Sequence, residues 1–432
     1  MLRQTSASYQ EVPCNRDDSM FIFAIDVVIV LGLLCCFGSI VGLTIKVQEL
    51  KEAPGWAVFL YLIPISLSAI FCAAKPHIAL RTALVGGPYL LLVLWAFASF
   101  QWSNQPALTM RQGLLFICTY LSACALAMHL NWFRIARILA MLFAAQAFLS
   151  ASLAILKPEW GVMTTIYPGA WSGIWGFKQS LGVAMAVGAG CVTGYTLMKP
   201  KAWIWTIPAL FVILLCVVQS EATTAILVTG LAIAMPFSVW LAQRHPSAAV
   251  FSIWAVVIGL VMGALMFTVL APVIFQALGK APTLTGRTDI WTALEPALQS
   301  KSLLGWGYQA FWTDISLTSP VESIEQAMDG FRPPDAHSTP TDLRLQLGII
   351  GLVLGILAFG RVWLQTILQA GREPGMILVI GFLTSISSML FTESLALYPM
   401  DSLTLVTQLV IIKVALSLWD YKDAKSGRAI LI

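Results

Sequence analysis

Only four histidines occur in these 432 residues, and one of them, His337, lies in a polar interval between two strongly apolar stretches. An imidazole titrates near neutrality, so His337 is the side chain best suited to take a proton from a hydroxyl at neutral pH. The same interval, residues 273–341, carries Arg287 and Arg332, and Arg344 follows just beyond it. A guanidinium stays charged and offers a planar fork of donors, which suits phosphate oxygens. Lys178 and Arg111 are the next cations near apolar stretches, and Glu393 lies between Thr392 and Ser394 at the end of another. The chemistry available is therefore a base, several anion ligands and a carboxylate that could orient either.

The elements that position these residues are helices in lipid. The chain is 58% hydrophobic and 11% charged, with mean hydropathy +0.83. Soluble domains carry about a quarter charged residues. Apolar runs of about 20 residues recur along the whole sequence, long enough to cross a ~30 Å hydrocarbon core. Backbone groups in lipid must bond within their own segment, so these runs are helices and the fold class is an all-α polytopic membrane bundle. Twelve spans are expected near 21–44, 56–74, 83–100, 113–130, 138–156, 180–198, 202–219, 222–242, 248–272, 343–369, 375–392 and 399–419. They form one membrane domain, 21–419, between tails at 1–20 and 420–432. The first run is too long for a cleaved signal peptide and follows a polar tail.

Basic residues orient the bundle. With a cytoplasmic N-terminus, each inner connection holds at least one, including Arg134, Arg137, Lys199, Arg244 and Arg361. This asymmetry places both termini inside and the 273–341 loop outside. The net charge of +4 thus reports topology and not nucleic-acid binding. Seven of eight cysteines fall within spans and the outer loop has none, which excludes a disulfide-stapled outer domain. The loop carboxylates, Asp335 and Asp342 among them, lack paired metal-ligand spacing and read as solvated charges; no metal or cofactor is expected. Within the loop, 289–300 predicts a short amphipathic helix, and 303–311 a glycine-punctuated aromatic turn.

Three blocks carry a resemblance. Gly286-Arg287-Thr288 with Ile290-Trp291 comes first. Leu304-Gly305-Trp306-Gly307-Tyr308 with Ala310-Phe311-Trp312 follows, and then His337 before Leu345-Gln346-Leu347-Gly348-Ile349-Ile350-Gly351. Their order and face resemble the bacterial O-antigen polymerase and ligase superfamily. The block from Trp171 to Gly182, with Gly173, Gly176 and Lys178, is similar to its exopolysaccharide polymerases. Two positions depart from the family's asparagines, Ser338 after the histidine and Gln179 after the lysine.

The resemblance implies a glycosyltransferase drawing a saccharide from an undecaprenyl-diphosphate carrier at the outer face of the bacterial inner membrane. The acceptor would be another carrier-linked saccharide, a lipid core or a protein. His337 would then be the base and Arg287 the leading diphosphate ligand. Lys178, Arg111, Arg332 and Arg344 would be further substrate contacts, with Arg344 paired to Asp342 or to a phosphate. Glu393 would orient His337 or an acceptor sugar. The outer-loop aromatics are not assigned singly, because Trp and Tyr belts line every membrane interface. A twelve-span transporter is the competing class; the position of the long loop, between spans nine and ten, disfavours it.

Overall fold

The computed structural model describes residues 16–36, 57–165, 167–245, 287–314 and 319–425. Among these it is an all-α polytopic membrane protein. Seven helices are long and apolar enough to cross a bilayer: Pro106–His129, Trp132–Leu156, Lys178–Met198, Pro200–Gln219, Thr223–Arg244, Thr339–Gln369 and Ser402–Trp419. An eighth is reached if the bent pair Phe59–Ala74 and Pro76–Val85 counts as one span. The expected ninth span, 248–272, and Gly286 lie outside the described residues.

The centre of the bundle is the Lys178–Met198 helix, buried along almost its whole length. Its small residues explain why. Gly190 meets the backbone of Gly381 in the Met376–Met389 helix, and Gly188 faces the Phe143 side chain of the Trp132–Leu156 helix. Without a hydrophobic drive between helices in lipid, such close backbone approach is what holds them together.

The third span differs from the sequence expectation. The chain turns by 112° at the break after Ala74, so 83–85 end the Pro76–Val85 helix and do not begin the next span. That next helix, Pro88–Ala98, has 11 residues and rises only about 16 Å. Proline at the first position of each helix supplies the breaks. Gly87 adds a positive φ of 56°, where a β-carbon would lie 1.8 Å from the Arg361 guanidinium.

One polar contact joins the first helix to the bundle. Asp26, fully buried in Arg16–Cys36, accepts from Arg134 Nη2 at 2.7 Å and from Arg137 Nε at 2.8 Å. The two arginines are one turn apart on the Trp132–Leu156 helix.

The polar interval is a folded cap with its own apolar core. Ile290, Leu294 and Leu298 of the Arg287–Ser300 helix pack with Phe311, with Val321 and Ile324 of the Pro320–Ala327 helix, and with Leu345. The cap is stitched to a break in the Thr339–Gln369 helix. There Gly348 takes φ 67° and ψ −168°, a region open essentially to glycine alone. The interrupted carbonyls find other donors: Trp306 N–H bonds Leu345 O and Gly307 N–H bonds Gln346 O, both at 2.9 Å. Trp95 Nε1–H bonds Leu347 O at 3.1 Å, and Ile349 N–H turns outward to Ser302 O at 2.9 Å. Membrane helices tolerate interruptions only when freed backbone groups are satisfied in this way.

Candidate functional site

The Thr339–Gln369 helix begins with a Ser338 N-cap, whose Oγ accepts from Thr341 N–H, and Pro340 follows in the first turn. His337 precedes that cap and adopts φ 47°, unusual for a residue other than glycine. Its neighbours enforce the conformation. Ala336 O accepts from Trp291 Nε1 at 2.8 Å, Ala336 N–H reaches Asp342 Oδ2 at 3.3 Å, and Ser338 N–H reaches Ser394 Oγ at 3.2 Å.

Asp342 is the knot beneath the histidine. It is 1% exposed and accepts from Trp312 Nε1 at 2.9 Å and from the Ser394 hydroxyl. The expectation of a solvated Asp342, or of its pairing with Arg344, is therefore corrected. Its lone pairs are taken by the cap and by the 390–401 connection. Among the described residues Arg344 forms no ion pair.

Three charged groups converge at His337. Arg287 Nη2 lies 2.6 Å from Glu393 Oε1, with the two side chains 12% and 13% exposed. Glu393 Oε2 lies 3.6 Å from His337 Nδ1, and Asp335 Oδ1 lies 3.5 Å from the same nitrogen. These last two distances are ion-pair separations; Nδ1 is buried and makes no hydrogen bond. Burial pushes the His337 pKa down, but the Glu393 and Asp335 carboxylates outweigh it and Arg287, and the net shift is upward.

His337 opens onto a cavity of about 480 Å³. One wall comes from Trp175, Phe177, Gln179, Ser180 and Val183, the other from Pro334, Asp335 and His337. Glu393, Ser394, Tyr398 and Asp401 also line it. The volume lies within the range of small-ligand sites. The first wall exists because a 3-10 turn at Gly173–Trp175 and a left-handed Gly176 end just before the Lys178–Met198 helix. That turn sets Gln179, Ser180 and Val183 on one helix face.

The structure thus brings His337, Arg287 and Glu393 together. Lys178 starts the adjacent helix, but its Nζ sits 3.8 Å from the centre of the Tyr167 ring and does not line the cavity. Arg332 pairs with Glu325 at 3.7 Å and donates to Asp314 O at 2.7 Å, holding the cap together. Arg111 is exposed on the Pro106–His129 helix, away from the lining. The reading of Asp335 as a solvated charge is likewise corrected, because its oxygens accept from His337 N–H and from the Tyr398 hydroxyl. Tyr398 is not among the expected site residues, and for Asp335 the Asp335-Ala336-His337 spacing is the available signal. An aspartate two residues before another can accept its backbone N–H, as Asp335 does from His337 at 2.7 Å.

A membrane bundle with a folded cap, a histidine between two carboxylates and an arginine beside them is the architecture the chain presents. Residues 208–356 match the model of the O-antigen ligase family. The chain is also similar to the exopolysaccharide production protein ExoQ of Rhizobium meliloti (strain 1021). That likeness is 28% identity over 310 residues, covering 67% of this chain and 69% of the relative. Together these matches bear out the resemblance to the O-antigen ligase and polymerase-like family. Arg287 and His337 lie within the matched family segment; Glu393 and the wall from Trp175 to Val183 lie outside it.

Proposed function

We propose that the protein is a membrane glycosyltransferase of surface polysaccharide biosynthesis. It transfers an undecaprenyl-diphosphate-linked saccharide at the outer face of the bacterial inner membrane, with both termini cytoplasmic. The observation that carries this reading is the convergence of His337, Arg287 and Glu393 beside one cavity. Nδ1 of His337 faces the carboxylates, which leaves Nε2 for the acceptor hydroxyl. As the acceptor oxygen bonds to the anomeric carbon, its proton passes to Nε2. The bond from that carbon to the diphosphate oxygen breaks with inversion, and the diphosphate leaves with the electron pair. Arg287 meets the growing charge by exchanging Glu393 for phosphate oxygens. No step needs a metal.

Similarity to an exopolysaccharide production protein favours chain polymerisation, with a second carrier-linked saccharide as acceptor. The family model's description as O-antigen ligase favours the second reading, transfer to a lipid core or protein. The test uses wild type and His337→Ala in lipid nanodiscs with carrier-linked oligosaccharide. Carrier release with a product ladder, both absent in the variant, is the expected result. A single product formed only with added lipid core or protein identifies a ligase. No carrier release under any condition refutes glycosyl transfer.

A further inference from the structure

His337 has two carboxylates at one nitrogen where orientation needs only one, and the second is itself held. Asp335 Oδ1 accepts the backbone N–H of His337 at 2.7 Å and stands 3.5 Å from Nδ1. Its other oxygen accepts the Tyr398 hydroxyl at 3.2 Å. Tyr398 comes from the 390–401 connection, the segment that also supplies Glu393 and Ser394, and it lines the cavity with Asp335 and His337. Asp335 is thus fixed from both sides of the cavity and cannot swing away from the imidazole without losing both bonds. The left-handed backbone at His337 is part of the same arrangement, since the Asx turn sets where the ring projects.

We propose that Asp335, clamped by Tyr398, is a positioning residue for His337: it fixes the ring with Nε2 toward the cavity and shares the imidazolium charge with Glu393. This inference rests on the proposed base role of His337. Glu393 is the shared partner, because it divides its oxygens between Arg287 and His337. When a diphosphate draws Arg287 away, Glu393 turns wholly to the imidazole; Asp335 holds the ring before and after. At proton transfer the Nδ1–H points between the two carboxylates, and the separations of 3.5 and 3.6 Å shorten as the imidazole becomes charged.

Among the described residues the groups facing His337 are few. They are Asp335 on its own loop, Glu393 and Tyr398 from the 390–401 connection, and Arg287 from the cap helix. Asp342 lies beneath the loop and Asp401 further along the cavity lining. Asp335→Asn keeps the acceptor for the His337 N–H and removes the charge. Tyr398→Phe keeps the charge and removes the clamp.

Two measurements decide the proposal. The first follows the His337 ring by NMR of protein labelled at histidine carbon ε1, assigned with His337→Gln. The second is the pH dependence of transfer to the acceptor. In Asp335→Asn the ring should titrate at lower pH than in wild type, and the acid limb of the rate should move down with it. Because a general base supplies 10²–10⁴-fold, the plateau rate should fall roughly 10–100-fold. Tyr398→Phe should lower the plateau without moving the limb down. An unchanged His337 titration in Asp335→Asn overturns the proposed pairing. A shifted titration with an unmoved acid limb, or a limb lowered equally by Tyr398→Phe, overturns the positioning role. If wild type transfers no saccharide, the function reading fails, and the NMR arm still decides whether Asp335 serves His337.

Discussion

Replacing Gly348 by alanine should cost the protein much of its stability, while the same change twelve residues along should not. The backbone at Gly348, φ 67° and ψ −168°, is nearly closed to any residue with a β-carbon. A β-carbon there would lie 2.0 Å from Leu303 O and 2.6 Å from Leu304 N, so backbone must move. The helix can relieve the clash only by leaving this conformation, which separates it from the Leu303–Tyr308 turn. The strained region costs about 1–3 kcal/mol for such a residue. Each lost backbone bond to Trp306, Gly307 or Ser302 costs about 1 kcal/mol net. Some of this returns as the helix straightens, so the expected loss is about 3–5 kcal/mol. Gly360, in the same helix, has no atom within 4 Å of its β-carbon position. Alanine there should be neutral or stabilising by up to about 1 kcal/mol. Unfolding of both variants in mixed micelles with rising SDS, followed by circular dichroism, compares them directly. Coincident unfolding curves would show that the break at Gly348 does not depend on glycine.

Three further outcomes are expected. Glu325→Cys, in the cap and paired with partly exposed Arg332, should react with a membrane-impermeant thiol reagent in intact spheroplasts; reaction only after lysis would invert the topology. EDTA should leave transferase activity intact, and a loss restored by Mg²⁺ or Mn²⁺ would overturn the metal-free mechanism. Glu393→Gln should move the acid limb of activity to lower pH. The carboxylate raises the His337 pKa, the neutral imidazole is the active base, and activity is lost as pH falls through that value. An unmoved limb would remove Glu393 from the base.

What the sequence conveyed was the part written in local composition. Long apolar runs gave all-α architecture, and the Arg287–Ser300 helix is close to the amphipathic stretch expected at 289–300. The departures arise where distant segments decide. Gly348 sits inside an apolar run that reads as one continuous helix; only the Leu303–Tyr308 donors, brought against it, make an interruption affordable. Asp342 looks like any loop carboxylate until Trp312 and Ser394 close around it. The Arg287–Glu393 pair spans 106 residues, a separation over which no residue spacing carries information. Glu393 is nonetheless legible as a candidate, because it lies between Thr392 and Ser394 at the outer end of an apolar run.

The Asp26 pair has a consequence for assembly. An aspartate inside an apolar span costs at most about 2.5–3.5 kcal/mol on entering lipid, and less towards the span's end, where Asp26 lies. Its counter-charges, Arg134 and Arg137, are synthesised 108 and 111 residues later. The first helix therefore has reason to linger at the insertion machinery until the Trp132–Leu156 helix arrives, and the two then enter lipid as a neutralised set. An Asp26→Leu chain would release its first helix early, trading a timed assembly for an untimed one.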